Sequence, residues 1–407
     1  MKRELTLVAL SANLLLASGY KIPEQSLNSF ALSAAYAAGA YGADTAYFNP
    51  ANMVFEENDA SFELSITNVM LPESDYSGTV TAGGTTYPAT ADSESESPYI
   101  PNIHYTARID DRTAYGLSVV VPGGLTKRWK TTFQKLYAEE FGMRNIEINP
   151  TLAYKLMPGL SVAGGVRLVQ SQGVVKSSGT LTRDLEGTDT AFGYNAALTY
   201  KPLEALSLAA TYRSLVTLEE EGNAKLYYND TLVYDGAASV AIPLPATLTL
   251  GAAYTFGMTT VELTYDKTYW SAYEELDFTY GDGIDTGNAA VDAALVAAFD
   301  DPKDKSWKDT SAYRIGVSHR VNPNLTVMAG YARDENPVPE RTLQFELPDA
   351  DATVYSAGMR YTRASHEFGF SLLRSVKEKR TVHNDIIDGT FAQYTSTLVT
   401  LAYGYRF

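Results

Sequence analysis

The sequence predicts an all-β protein: a transmembrane antiparallel β-barrel of about 14 strands. Three observations predict it. Strand-length segments alternate between aliphatic or aromatic residues and small, polar or charged ones. The connections alternate between tight turns and long polar stretches. Beyond the N-terminus no apolar run approaches the roughly 20 residues of a membrane helix. A closed barrel is then the way left to satisfy every backbone polar group in lipid.

Composition narrows the function classes. The 407 residues contain no cysteine, which removes disulfide frameworks, zinc–thiolate sites and thiol nucleophiles. Lys+Arg is 32 against Asp+Glu 48, a net charge of −16 that repels a phosphate backbone. The 29 tyrosines suit the water–lipid interface, where barrels carry aromatic girdles, and equally suit any β-rich protein.

The chain starts as a secretory signal does. Lys2 and Arg3 precede a largely apolar run, Leu5 to Leu16, and then Ala17, Ser18 and Gly19. We assign residues 1–18 to a signal peptide and 60–407 to the barrel. Residues 19–59 are left over; they are rich in Ala, Gly and Ser and do not alternate like a strand. Thr113–Val121 is the third strand, and its interior Gly116 marks a candidate bend. In Leu206–Tyr212 and Leu248–Phe256, apolar side chains alternate with Ser, Thr, Gly and Ala. Tyr313–Val317, Leu325–Tyr331 and Tyr355–Tyr361 alternate likewise, with Arg314 and Arg360 on the second face. An arginine facing lipid at mid-membrane costs about 2–4 kcal/mol, so the arginine face is the lumen. The final strand is the clearest: Val399, Leu401, Tyr403, Tyr405 and Phe407 face one way, Thr400, Ala402, Gly404 and Arg406 the other.

Met157–Gly159, Pro202–Glu204 and Asn322–Asn324 read as tight turns. Residues 71–97, 122–145, 173–190, 217–245, 269–310, 334–352 and 378–393 read as seven long loops, which imply the 14 strands. In the second loop Lys127, Arg128, Lys130, Lys135 and Arg144 interleave with Phe133, Leu136, Tyr137 and Phe141 at helical spacing. This cluster is either a capture groove for a greasy body with a carboxylate, or a lipopolysaccharide contact whose apolar face packs on a neighbouring loop. In the fifth loop Asp282, Asp285 and Asp292 lack the ligand ladder of a calcium loop. They read as a solvated loop entering a helix at Ala289–Phe299 with Asn288 as N-cap. His104, His319, His366 and His383 are scattered and have no sequence-local catalytic partner, so no enzyme, cofactor or metal is expected. A Ser–His pair assembled in space, as in a membrane phospholipase, stays as an alternative.

Ser18–Ser26, and Ala43-Asp44 with Asn49-Pro50-Ala51, resemble the mature N-terminus and the hatch of the FadL family, outer-membrane transporters of long-chain fatty acids and aromatic hydrocarbons. The resemblance implies that residues 19–59 form this hatch, an N-terminal plug inside the barrel lumen. Pro122–Leu125, Asn149–Lys155 and Leu244–Thr247 match in order, as do Trp307–Thr310, Ala329–Pro339 and Leu347–Asp351. Phe30-Ala31-Leu32-Ser33 departs from the Gly-x-Gly-Arg that many members carry there. The resemblance implies passive uptake of hydrophobic compounds across a Gram-negative outer membrane. It implies capture at the outer loops near Lys127, Arg128, Lys130, Phe133, Tyr137 and Phe141. It further implies a gate at Asn49, Pro50 and Ala51, and sideways exit at a gap in the third strand, near Gly116. Proline at position 50 also ends a helix on its own account. Tyr403, Tyr405 and Phe407 resemble the C-terminal signal read by the barrel assembly machinery. The expected partners are a hydrophobic small molecule, outer-membrane lipid and lipopolysaccharide, with the protein a monomer. An open porin for polar solutes and a loop-mediated adhesin or structural barrel are the competing readings.

Overall fold

The computed structural model describes residues 19–407; the expected signal peptide, residues 1–18, lies outside them. Fourteen antiparallel strands close into one barrel. They are β1 (Ala60–Met70), β2 (Tyr99–Arg108), β3 (Thr113–Val120, resumed at Gly124–Arg128), β4 (Glu140–Met157) and β5 (Leu160–Ser177). Then come β6 (Leu181–Leu203), β7 (Leu206–Arg213, resumed at Val216–Tyr228), β8 (Thr231–Leu244, resumed at Thr247–Phe256) and β9 (Thr259–Thr268). The last five are β10 (Thr310–Asn322), β11 (Leu325–Asp334), β12 (Ala352–Arg363), β13 (His366–Lys377) and β14 (Tyr394–Arg406). β14 pairs with β1 in unbroken register from Ser61↔Arg406 to Met70↔Thr397. That pairing leaves the barrel without a free edge.

Strand phase follows the energetic argument. On β12, Tyr355, Met359 and Tyr361 point out and Arg360 is buried in the lumen. On β14, Leu401 and Phe407 are 56% and 65% exposed, whereas Thr400 is fully buried. The outward residues form the apolar, aromatic band that lipid requires.

The connections differ from expectation at two places. Residues 173–190 and 217–245 are not loops. β5 and β6 continue to a turn at 178–180, and β7 and β8 to a turn at Asn229-Asp230. Both turn residues have positive φ (46° and 61°), as a two-residue hairpin demands. Above the lipid band both strand faces meet water or other loops, so these strands lose the apolar alternation that would reveal them. The first and last long loops meet in a four-stranded sheet of residues 75–82, 85–92, 380–383 and 387–391. The acidic loop carries a helix at Ala289–Leu295, where Asn288 Oδ1 accepts from Ala290 and Val291 N–H at 3.1 and 3.4 Å.

Residues 19–56 lie inside the barrel. This inner segment folds into α1 (Leu27–Ala31), α2 (Thr45–Phe48) and a 3-10 turn (Pro50–Phe55), and every residue from Glu24 to Ala38 is buried. It lies so close to the wall that glycine is required there. A Cβ at Gly330 would fall 2.1 Å from the Leu32 carbonyl carbon, and one at Gly369 only 1.9 Å from Leu27 Cδ2. Lumen charges hold it. Glu262 accepts from three consecutive backbone N–H groups, those of Ala37, Ala38 and Gly39, at 2.6, 2.6 and 2.9 Å. Arg360 donates to Asn28 Oδ1 at 3.0 Å while paired with Glu63 and Glu367. Arg314 donates to the Ser33 carbonyl at 3.1 Å while paired with Asp266 and Asp334.

The Glu262→Gln variant should weaken seating of the segment by about 2 kcal/mol, roughly a 30-fold rise in the unseated population. Gly330→Leu should displace the segment outright. Both should keep a heat-modifiable barrel yet show ion conductance in planar bilayers above that of the parent; parent-level conductance for Gly330→Leu would contradict this packing.

Candidate functional site

Two apolar-lined spaces and an interruption of the wall make up the candidate site. Beneath the loops is an apolar cleft lined by Tyr20, Phe141, Ile242, Tyr273, Trp307 and Val338, with Lys305 and Glu346 as its ionisable pair. Its free space is about 20 Å³, room for about one water, so a ligand enters only by parting these side chains. The walls are edge-to-face aromatics. Tyr20 meets Trp270 at 4.8 Å, Trp270 meets Trp307 at 5.0 Å, and Trp307 meets Tyr273 at 4.9 Å between ring centroids. The Tyr20 hydroxyl donates to the Pro243 carbonyl. Burial, with the Glu346 carboxylate second, pushes the Tyr273 hydroxyl far above its ordinary range, so it stays a neutral phenol. Lys305 and Glu346 bind each other at 2.5 Å.

Of the expected capture residues only Phe141 lines this cleft, and it does so from β4 rather than from the helix. The helix of that loop, α3, spans Thr132–Ala138. Lys127 is buried, donating to Ser74 and Ser93 hydroxyls at 2.8 and 3.0 Å. Arg128 forks onto Glu96 at 2.8 and 2.7 Å, and Lys130 pairs with Glu94 at 3.3 Å. Phe133 stacks on Tyr87 at 4.7 Å, and the Tyr137 hydroxyl donates to the Thr81 carbonyl. The basic cluster thus clasps the second long loop to the first. The cation at the cleft is Lys305, inside a stretch whose polarity reads as a solvated loop. Trp307 was its one sequence signal, a large aromatic in an otherwise polar run.

Below the cleft the wall is interrupted. β3 leaves the ladder after Val120 and rejoins at Gly124; Pro122, in between, has no N–H to give. The inner segment closes the break. Ile22 N–H donates to the Pro122 carbonyl and Gly124 N–H to the Tyr20 carbonyl, both at 2.9 Å. The Gln25 amide donates to the Val121 carbonyl at 2.8 Å and accepts from Val121 N–H at 3.1 Å. Gly116 is not at this break. It is paired on both sides, with Thr106 and Thr151, and a Cβ there would strike Ala46 and Met53 at 2.6 and 2.7 Å. Its glycine answers the packing of the inner segment, and the bend falls at Val121–Gly123.

Asn49, Pro50 and Ala51 lie elsewhere. Asn49 donates to Thr199 Oγ1 at 2.8 Å, and Ser161 donates to the Ala51 carbonyl at 2.6 Å. Ser161 and Thr199 are partners in the intact β5–β6 ladder, so the motif presses on continuous wall. Against the break is a cavity of about 80 Å³ lined by Ile22, Tyr47, Pro122, Arg213 and Leu244 among others. Beside it Glu147 is gripped by Arg167 at 2.9 Å and by Arg213, whose guanidinium lies 4.1 Å over the Tyr47 ring.

Comparison with known proteins decides the lineage. The family model described as outer membrane protein transport protein (OMPP1/FadL/TodX) matches residues 8–407. The chain belongs to this family. It is accordingly a transport protein of the Gram-negative outer membrane. Outer membrane protein P1 of Haemophilus influenzae is 23% identical over 353 residues, 75% of this chain and 74% of the relative. The long-chain fatty acid transport protein of Escherichia coli K12 is 24% identical over 356 residues, 76% and 77% of the two chains. Among solved structures, a Pseudomonas aeruginosa FadL homologue aligns with TM-score 0.81 at 18% identity, covering 96% of this chain and 100% of the other. The P. putida toluene transporter TodX aligns with TM-score 0.70 at 18% identity, covering 94% and 98%. These likenesses establish the FadL-type fold.

Two carboxyls of the inner segment titrate with its seating. Burial pushes Glu24 up to about 7, opposed by the Arg314 guanidinium. Burial, with the Glu63 carboxylate second, pushes Asp44 up to about 8. Both values exceed those of a released segment, near 4, so seating binds protons. Its stability is therefore greatest at low pH and falls as pH rises from about 5 to 8. Ion leak through the purified barrel should rise over that interval in the parent and less in Asp44→Asn; a flat or falling profile would count against the assignment.

Proposed function

We propose that this FadL/TodX-family barrel carries hydrophobic molecules inward by passive diffusion and releases them sideways into the membrane. The ligand is captured in the aromatic cleft beneath the loops. Displacing Tyr20 opens the way to the cavity at Pro122, and withdrawal of residues 20–25 frees the break in β3. The observation that supports the reading is that the inner segment bonds both backbone groups of Val121, the Pro122 carbonyl and Gly124 N–H, whereas within Val121–Gly123 β4 supplies one bond, Asn145 N–H to the Gly123 carbonyl at 3.3 Å. Backbone exposed to lipid must be paired, so a gap closed by a removable segment is a gap that can open. A greasy solute gains by passing from cleft to lipid without crossing the periplasmic water.

The segment acts as a hatch in this scheme. Asn49-Pro50-Ala51 anchors it to β5 and β6 while its first residues move. A filled lumen does not favour the open porin. The relatives named for long-chain fatty acids and toluene make an alkyl chain or an arene the ligand class. Lys130, the most exposed cation of the basic cluster, suits contact with lipopolysaccharide phosphates. Tyr403, Tyr405 and Phe407 serve as the assembly signal.

The chain has no cysteine, so one engineered pair gives a clean test. Lys21 and Gly123 are partners in an antiparallel bridge. In Lys21→Cys/Gly123→Cys, oxidation should abolish uptake of a labelled long-chain fatty acid or toluene by cells, and reduction should restore it. Full uptake with the disulfide formed would refute sideways release at this break.

A further inference from the structure

We infer that Asn102 and Asn145 form a polar station at the wall break, which takes the uncharged, hydrogen-bonding head of an amphipathic ligand. The inference rests on the sideways-exit reading and adds the chemical class of head group. Both asparagines are fully buried, and neither Nδ2 nor Oδ1 of either one has a partner. Buried amides are almost always paired, and two wholly unpaired ones at one feature call for an explanation.

Their positions supply one. Asn102 is the β2 residue just past Ile103↔Val119, the last rung that β2 shares with β3. It lies on the lumen face, in step with Ile100 and His104. Asn145 stands on β4 between the two pieces of β3, after Arg144↔Gly124 and before Glu147↔Val120. Its Nδ2 is 3.1 Å from the place a Cβ on Gly123 would occupy. The two amides therefore flank the break from opposite strands.

The other polar groups here are already satisfied. Gln25 spends its amide on Ile22, Val121 and the Val121 N–H. His104 is bonded to Gln25 and Ser118, and Glu147 is held by Arg167 and Arg213. What is left among the described residues at the break is two acceptors and two amino groups; the nearby cation, Lys21, donates to Thr268 Oγ1 at 3.2 Å. A primary amide complements a group that both donates and accepts. A protonated carboxylic acid or an alcohol is such a group. An alkane or arene leaves the amides unpaired. A carboxylate only accepts, so it would leave both Oδ1 atoms unpaired and bring a net charge into a buried site.

The test compares ligands of equal chain length: decanoic acid, 1-decanol and decane. In Asn102→Leu/Asn145→Leu, cell uptake of the acid and the alcohol should fall roughly tenfold relative to decane, with decane unchanged. Asn145→Ser, which keeps a donor and an acceptor, should fall between parent and double variant, and it serves if the double variant fails to assemble. An alcohol-to-alkane ratio equal to the parent's in a folded variant would overturn the inference, the amides then being satisfied by water alone. The disulfide of Lys21→Cys/Gly123→Cys separates the two readings. If oxidation leaves uptake intact, sideways release fails; if it blocks uptake while the ratio stays at the parent's value, only the polar station fails.

Discussion

The structure depends on one constraint: a polypeptide in hydrocarbon must pair every backbone N–H and C=O within itself. Closure of β14 onto β1 meets it around the circumference. Pro122 breaks it locally, because proline cannot donate and between Val120 and Gly124 β4 reaches the strand only through Asn145 N–H on the Gly123 carbonyl. Residues 20–25 repair the break from inside the lumen. The wall and the inner segment are thus a single hydrogen-bonded system, and the segment's position decides whether the wall is whole.

Lumen charges keep that segment in register without making it part of the wall. Arg314, Arg360 and Glu262 each bind backbone or an amide of the segment while two of them also hold carboxylates on neighbouring strands. Buried charge pairs contribute little net stability, because desolvation offsets attraction. Their value here lies in placement. The segment also buries Tyr20, Ile22, Phe30 and Met53 among apolar side chains, and the glycines and polar fixtures decide the one position in which it does so.

What could be read from sequence follows where lipid was. On β12 and β14 the bilayer imposes one apolar face and the lumen forbids it on the other, so Tyr355, Met359, Leu401 and Phe407 announced both strand and phase. Above the bilayer that imposition ends, and β5–β6 and β7–β8 looked like loops although their ladders continue. At the site, Gly116 and the break both lie on β3, but a lone glycine is ambiguous between a bend and a close approach, and only the partner across the lumen decides. Arg128 and Lys130 looked available because their carboxylate partners, Glu96 and Glu94, belong to a different loop. Pairings of that kind depend on the closed barrel, which brings distant stretches together, and no local pattern records them.

The sheet joining residues 75–92 to 380–391 has a consequence for how the molecule matures. Its two halves are separated by almost the whole chain, so the loop-closure entropy of uniting them is offset only after β1 and β14 have zipped. This sheet is therefore completed after the staves are paired. A nascent barrel has staves before it has a mouth, and the sheet is a physical record that the circle has closed.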